Sequence, residues 1–577
     1  MKRYFKYVKR YALFFILAPL FMLTEVVGEV WLPKLVSLMV NNGIANKNVE
    51  YIISMGLTMV GVALIMMMGG VLGGFFATKA AVSFAADLRS DVFKKIQSFS
   101  FKNIDNFSTG SLVTRLTNDI TQMQNVIRMS LVMLLRSPGM LIGGLYMAST
   151  VNGSLAAVIA VVIPVLVISV FLILKTAFPR FDTMQVKLDN LNTRIQENIT
   201  NMRVIKSFLR NDFEEEKFEK CAVDLKEATV NAMKIVILNM PVVTLLMNLT
   251  TIAVVWVGGN FIIKGDMQVG DLTAFTTYII QILMSLMMLS MIFLQASRAI
   301  ASAKRIGEII ETVPDLSDEN AASKGKKVQS GSVEFKNVSF KYNLHNKEKI
   351  LDNISFSIKS GETVGILGTT GSGKTSLVQL IPRLYDATEG EVLVDGTNVK
   401  DYLLSDLRNS VGIVLQKNVL FSGTIRENLL WGDDNATDEE IKEMAGYAYA
   451  DRFVEGFTDG YETELGQGGV NLSGGQKQRL CIARALIKKP KILILDDSTS
   501  AVDATTDAGI RHALATTLKD TTKIIIAQRI QSVVNSDKII VIEDGKIAGI
   551  GKHDELIENN EEYRSIYYSQ VDKEAAK

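Results

Sequence analysis

Residues 363–376 read TVGILGTTGSGKTS: a short apolar run, then a glycine-rich turn, then a lysine and two hydroxyl residues. The run predicts a buried strand, and Gly368, Gly373, Lys374 and Thr375 stand on the G-x-x-x-x-G-K-[ST] spacing of a phosphate-binding loop. Its chemistry follows from the residue types. Glycines at Gly368, Gly371 and Gly373 let successive backbone N–H groups turn inward toward phosphate oxygens, with Thr369, Thr370, Ser372 and Ser376 completing the loop. The dipole of the following helix adds positive potential, Lys374 reaches the outer phosphates, and the Thr375 hydroxyl is a magnesium ligand. Further along, ILILDD (492–497) supplies a second apolar strand ending in Asp496, placed to hold the same magnesium through water. Short Val/Ile/Leu runs alternating with helical stretches from Gly331 onward predict an α/β domain over residues 331–577 with a largely parallel sheet.

The chain before this domain has a different character. Hydrophobic residues make up 48% of the 577 and charged residues 21%, so apolar and polar stretches are segregated. Six runs reach the roughly 20 residues that a bilayer requires. They lie near Tyr11–Leu32, Tyr51–Ala77, Val126–Thr150, Ser154–Phe178, Ile235–Ile263 and Val269–Gln295, within a polytopic α-helical membrane domain over residues 1–312. The polar segments after the second and fourth runs are patterned as long helices. Lys2, Arg3, Lys6, Lys9 and Arg10 at the N-terminus, with Arg180, Lys187, Arg194, Arg203, Lys206 and Arg210 in the fourth-to-fifth segment, orient the set by the positive-inside rule. Both termini and the long segments are therefore expected in the cytoplasm, and the protein in the cell membrane. Residues 313–330, containing SDENAASKGKK, read as a linker. With 62 Lys+Arg against 61 Asp+Glu there is no basic excess for a nucleic-acid partner. Two distant cysteines and three histidines offer neither a disulfide framework nor a zinc site.

Between the two strands stands LSGGQKQR (472–479). Ser473, Gly474 and Gly475 at a helix start would form a second anion-binding nest, which one phosphate loop does not need, so the economical reading is a site shared between two copies. These residues resemble ATP-binding cassette (ABC) transporters over essentially the whole chain: GTTGSGKTS is similar to Walker A, ILILDD to Walker B, and Leu472–Gln476 to the signature. The resemblance implies that Gln416 is the Q-loop glutamine, that Tyr342 stacks on adenine and that Asp503 lies in the D-loop. It also implies ATP and Mg²⁺ as cofactors, the metal held by Thr375, Gln416 and Asp496, and a half-transporter of exporter type that works as a dimer. Two short coupling helices are implied, with Thr109–Leu116 and Phe208–Glu214 as the candidate segments.

The sequence departs from that pattern at the catalytic end. The family's Walker B glutamate is Asp497 here, shorter by one methylene, and the switch histidine is Gln528, which cannot take a protonated form. Gln467 and Gly468 replace a usual Glu-Arg pair. A weakened Walker side with an intact signature resembles the degenerate-site subunit of bacterial heterodimeric multidrug exporters, in which a non-identical partner supplies the competent glutamate and histidine. A homodimeric exporter or lipid flippase with slow ATP sites is the alternative, and an ATP-gated channel or regulatory subunit stands further off. In the first span, Glu25 and Glu29 lie one helical turn apart, either a contact for cationic amphiphiles or a structural pair. Met284, Met287, Met288 and Met291 form a stripe suited to packing or to a polyspecific pocket. Gly69, Gly70, Gly73 and Gly74, and Gly139 with Gly143, predict close helix packing.

Overall fold

The structure, a computed structural model, describes residues 2–318, 325–343, 348–498 and 501–575, without the side chains of residues 2, 290–297 and 571–575. The chain divides into two compact units, Met1–Gln97 with Thr109–Glu311, and Ser98–Ser108 with Thr312–Lys577.

The first unit is helical throughout. Six helices long and apolar enough to cross a membrane cover Ala12–Ile44, Val49–Gln97, Thr109–Val151, Gly153–Thr200, Asn211–Lys264 and Val269–Leu289. The spans extend as helix well into the polar segments, Gly153–Thr200 passing through Pro164 and Pro179, with short breaks such as those at 98–100, 106–108 and 208–210. At 49 residues the helix Val49–Gln97 is about 70 Å long, far more than the hydrocarbon thickness. Small residues set the closest approaches. A Cβ at Gly69 would lie 2.9 Å from the Phe21 carbonyl oxygen, and one at Gly73 would lie 3.2 Å from that of Ala18, so the second helix sits on the backbone of the first. Gly139 and Gly143 pack instead against the side chains of Val26 and Val30. Gly70 instead faces the Glu25 carboxylate, and a Cβ at Gly74 meets nothing within 4 Å. The methionine stripe divides too: Met287 packs against the cluster around Tyr278 and Ile282, Met284 is exposed, and the side chain of Met291 lies outside the described residues.

In the second unit a six-stranded sheet runs in the order Lys546–Gly551, Lys538–Glu543, Thr363–Gly368, Thr522–Ile526, Ile492–Asp496, Val411–Val414. Every neighbouring pair is parallel except the first. Ile526 pairs with both Ile366 and Asp496, so the C-terminal ends of three central strands come level. A four-stranded antiparallel sheet, Leu351–Ile358, Val333–Phe340, Glu389–Val394 and Thr397–Asn398, lies beside it. One apolar core packs between the two sheets, around Phe335, Ile366, Leu377 and Ile494. The other packs under the helices, around Leu480, Ile482, Leu493 and Val541.

The segment that joins this unit from the first half of the chain is Ser98–Ser108, ahead of the expected Thr109–Leu116. Its short helix Phe101–Asp105 starts on a capping box between Ser100 and Asn103. The Asp105 carboxylate accepts a 2.7 Å hydrogen bond from the Tyr385 hydroxyl, and Phe101 stands edge-on to the same ring. Ser100 donates to Asp315. Thr109–Thr114, in contrast, begins the next long helix of the other unit. Phe208 and Leu209, in the second expected segment, are 73% and 85% exposed, and Leu209 has a positive φ of 51°.

The glycine contacts make a prediction. Gly69→Leu pushes a side chain into the backbone of the first helix and should cost about 1–3 kcal/mol, whereas Gly74→Leu should be close to neutral. Thermal unfolding of the two variants in the same detergent makes the comparison.

Candidate nucleotide-binding site

Local sequence builds the loop. Val364, Ile366 and Leu367 are buried on both faces of the central strand, which stops where Gly368 begins the turn. Gly373 has φ 97°, and a Cβ there would lie 2.9 Å from the Ile350 carbonyl oxygen, so a side chain is excluded by conformation and by space. The helix Lys374–Gln379 follows at once. Lys374 Nζ curls back into the loop, donating to the carbonyl oxygens of Gly368 and Thr369 at 2.8 and 2.7 Å. Burial pushes the Lys374 ammonium below its ordinary range, and Asp496 and Asp497 oppose that shift.

Around the loop is a cavity of about 280 Å³ lined by Tyr342, Ile350, Thr370, Gly371, Gly373, Lys374, Thr375, Ser376, Gln416, Asp496, Asp497, Ile526 and Gln528. Residues from five separate stretches of sequence thus meet at the level strand ends. Asp496 is 1% exposed. One of its oxygens accepts from the Thr375 hydroxyl at 3.1 Å, and the other, also buried, has no hydrogen-bond partner among the described residues. Burial pushes the Asp496 carboxyl up, Thr375 and Lys374 pull it down, and Asp497 adds to the rise. A hydroxyl beside a carboxylate with a free inward oxygen is the hard oxygen donor set that magnesium takes, with water and phosphate completing its shell. The residues present therefore fit the ion.

Asp497 lies just beyond the strand with φ 48°. Its Oδ2 accepts from Gln528 Nε2 at 2.8 Å, so two of the residues that depart from the expected pattern are bonded to each other. Burial raises the Asp497 carboxyl, and Gln528, Lys374 and Arg529 oppose the rise. Gln528 is held in turn from the C-terminal helix. Gln570 Nε2 donates to the Gln528 carbonyl at 2.8 Å, and Gln570 Oε1 accepts from the Ile530 N–H at 2.9 Å. Sequence reading missed Gln570, because a glutamine on a polar helix 42 residues away carries no local signal.

Tyr342 follows the strand Val333–Phe340, shares a 2.8 Å hydrogen bond with Ser376 and meets Tyr385 edge-on. Tyr342 stays 41% exposed, which leaves surface for stacking that a core tyrosine would lack. Gln416 lines the cavity just past the strand Val411–Val414. Leu472–Gln476 do not line it. Leu472 is buried, while Ser473 and Gly474 are exposed, and Ser473 closes a capping box with Gln476 at the start of the helix Gly474–Ile487. Gln478 accepts from the Ala501 N–H at 3.0 Å, tying that helix to the segment before Asp503. Asp503 caps the helix Ala504–Thr517 by accepting from the Thr506 N–H, and the neighbouring Thr499 and Ser500 lie outside the described residues. Gly468, at a departure from the pattern, has φ 69° and offers its carbonyl to Lys477.

In the membrane unit, Glu25 and Glu29 both face Arg136, at 3.2 and 2.7 Å. The sequence signal for that guanidinium is an arginine inside the third apolar run, with nothing to say which helix it meets.

Residues 12–286 match the family of ABC transporter transmembrane regions, and residues 351–500 match the ABC transporter family. The chain is 41% identical over 576 residues to the "Uncharacterized ABC transporter ATP-binding protein YfiB" of Bacillus subtilis, covering 100% of each. It is 33% identical over 488 residues to an ATP-dependent lipid A-core flippase of Desulfotalea psychrophila, covering 85% of each. It is 35% identical over 497 residues to YgaD of Bacillus subtilis, a protein named for multidrug export, again covering 85% of each. Among solved structures, a bacterial Atm1-family ABC exporter with ATP bound superposes with a TM-score of 0.80 at 25% identity, covering 98% of both chains.

The site predicts its own dependence on Lys374. Replacing that cation with alanine removes a charged hydrogen-bond donor and should weaken ATP binding about ten- to a hundredfold, measured by equilibrium titration of the full chain.

Proposed function

The chain belongs to the ABC transporter family, a membrane region and an ATP-binding domain in one polypeptide, and from that premise we propose that it is the degenerate-site half of a heterodimeric multidrug exporter. Its partner is a second, non-identical half-transporter, and its cargo is hydrophobic or amphiphilic. The protein sits in the cell membrane with both termini cytoplasmic.

Within the nucleotide site, loop N–H groups and Lys374 hold the phosphates and Tyr342 stacks on the adenine. Thr375, Asp496 and Gln416 would hold magnesium, which supplies charge neutralisation on the phosphates when bound. The observation that carries the heterodimer reading is the bond between Asp497 and Gln528. A base must reach the attacking water with its carboxylate free, and Asp497 is both shorter than glutamate and engaged by an amide. Gln528 can donate to a γ-phosphate oxygen but cannot carry a positive charge there. Hydrolysis at this site is therefore slow, and turnover belongs to the site where Leu472–Gln476 of this chain close on the partner's nucleotide. Tighter binding of ATP to the closed dimer drives the cavity outward, since only differential affinity shifts such an equilibrium.

For the cargo, Glu25 and Glu29 outnumber Arg136 two to one, and a cationic amphiphile is the class that the remaining carboxylate suits. If transport of cations by the assembled dimer is the same with both changed to glutamine, that assignment is lost.

The deciding measurement is ATPase activity of the purified chain in lipid, alone and with the polypeptide that co-purifies. Activity should require the distinct partner, vanish when the partner's Walker B glutamate is changed, and survive Asp497→Asn in this chain. Asp497→Glu with Gln528→His should raise turnover by an order of magnitude or more. Strong turnover by the chain alone, abolished by Asp497→Asn, would establish instead a homodimeric exporter or flippase.

A further inference from the structure

The helices Gly153–Thr200 and Asn211–Ile237 run side by side below the fourth and fifth apolar runs, and ion pairs link them. Lys187 meets Asp224 at 2.6 Å, and Arg194 meets Glu214 at 3.8 Å. One step nearer the apolar runs the pairing stops. A cleft of about 430 Å³ opens between the helices, lined by Arg180, Thr183, Ala228, Asn231, Lys234 and Ile235. Lys234 has no hydrogen bond or ion pair among the described residues, and Arg180 donates only to the Thr176 carbonyl of its own helix. Asp182 and Glu227, the carboxylates nearest in sequence, do not line the cleft. Two cations, a hydroxyl and an amide therefore face one space with no carboxylate among them. Arg180 directly follows the run ending FLILKTAFP, and Lys234 directly precedes IVILNMPVV, so the cleft lies where headgroups meet acyl chains.

We infer that this cleft binds the phosphate of an anionic phospholipid headgroup. A phosphodiester offers two oxygens to the two cations, Thr183 and Asn231 supply neutral donors, and the apolar runs above take the acyl chains. Lys187, Arg194 and Lys217 on the same two helices are paired with carboxylates, and Lys175, Lys220 and Lys226 do not line the cleft, so Arg180 and Lys234 are the two cations that share this space. The inference rests on the six helices crossing a bilayer and not on the transport or heterodimer readings.

The test is native mass spectrometry of the full-length chain with phosphatidylglycerol or phosphatidylcholine of matched acyl chains. Phosphatidylglycerol should bind more tightly, and Arg180→Gln with Lys234→Gln should weaken it about 25-fold, from about fivefold for each cation near a membrane surface, leaving phosphatidylcholine unchanged. Asn231→Asp keeps both cations and adds a carboxylate. It should lower phosphatidylglycerol affinity as well, which keeps the test open if the double variant does not fold. Lys187→Gln, at a position already neutralised, should change little. Unchanged phosphatidylglycerol binding in both cleft variants overturns the inference, as does an equal loss in Lys187→Gln. Inorganic phosphate added as competitor separates the sources. Failure to displace the lipid supports a headgroup site, and displacement at submillimolar phosphate overturns the lipid assignment in favour of a free anion.

Discussion

Charge held at the edge of an apolar sheet is the constraint on which the nucleotide unit depends. Lys374, Asp496 and Asp497 converge where three parallel strands end, and burial works against the ionised form of each. Such groups stay in place only if their partners are fixed with comparable accuracy. The sheet provides this through register: Ile526 pairs with Ile366 and Asp496, which levels the phosphate loop, the acidic pair and the Gln528 segment. The two cores on either side of that sheet hold the register, so positions far from the cavity contribute to its geometry.

The membrane unit answers to a different constraint. Apolar helices gain little from one another in lipid, so their closest contacts are made by residues that let backbones approach and by polar groups that must be satisfied. Gly69 and Gly73 serve the first purpose and Arg136 with Glu25 and Glu29 the second. Beyond the apolar runs, where water is available, ion pairs such as Lys187 with Asp224 take over. Charged residues at the boundary between these regimes have neither obligation met internally, and Lys234 is the clearest instance.

The helix Phe101–Asp105 illustrates how little sequence is needed to attach one part of the chain to another. A serine cap, an aromatic residue and one carboxylate suffice to place it against Tyr385, whose phenol is pushed up by burial and by Asp105. No pattern in residues 98–108 distinguishes them from the helical stretch that follows, and the expectation accordingly fell a few residues late.

The sequence by itself determined the six spans, the α/β unit and most of the residues that line the candidate cavity. Those signals are local: run length against bilayer thickness, alternation of strands and helices, and spacing within single turns. Tertiary structure alone decided who meets whom. That Gln528 bonds to Asp497, that Gln570 holds Gln528, that Arg136 lies between Glu25 and Glu29, and that Gly74 packs on nothing while Gly69 touches a backbone are all matters of register and rotation between distant segments. A one-residue slip along a strand or a turn about a helix axis preserves every local pattern while replacing each of those partners, and only the packed chain selects among the arrangements.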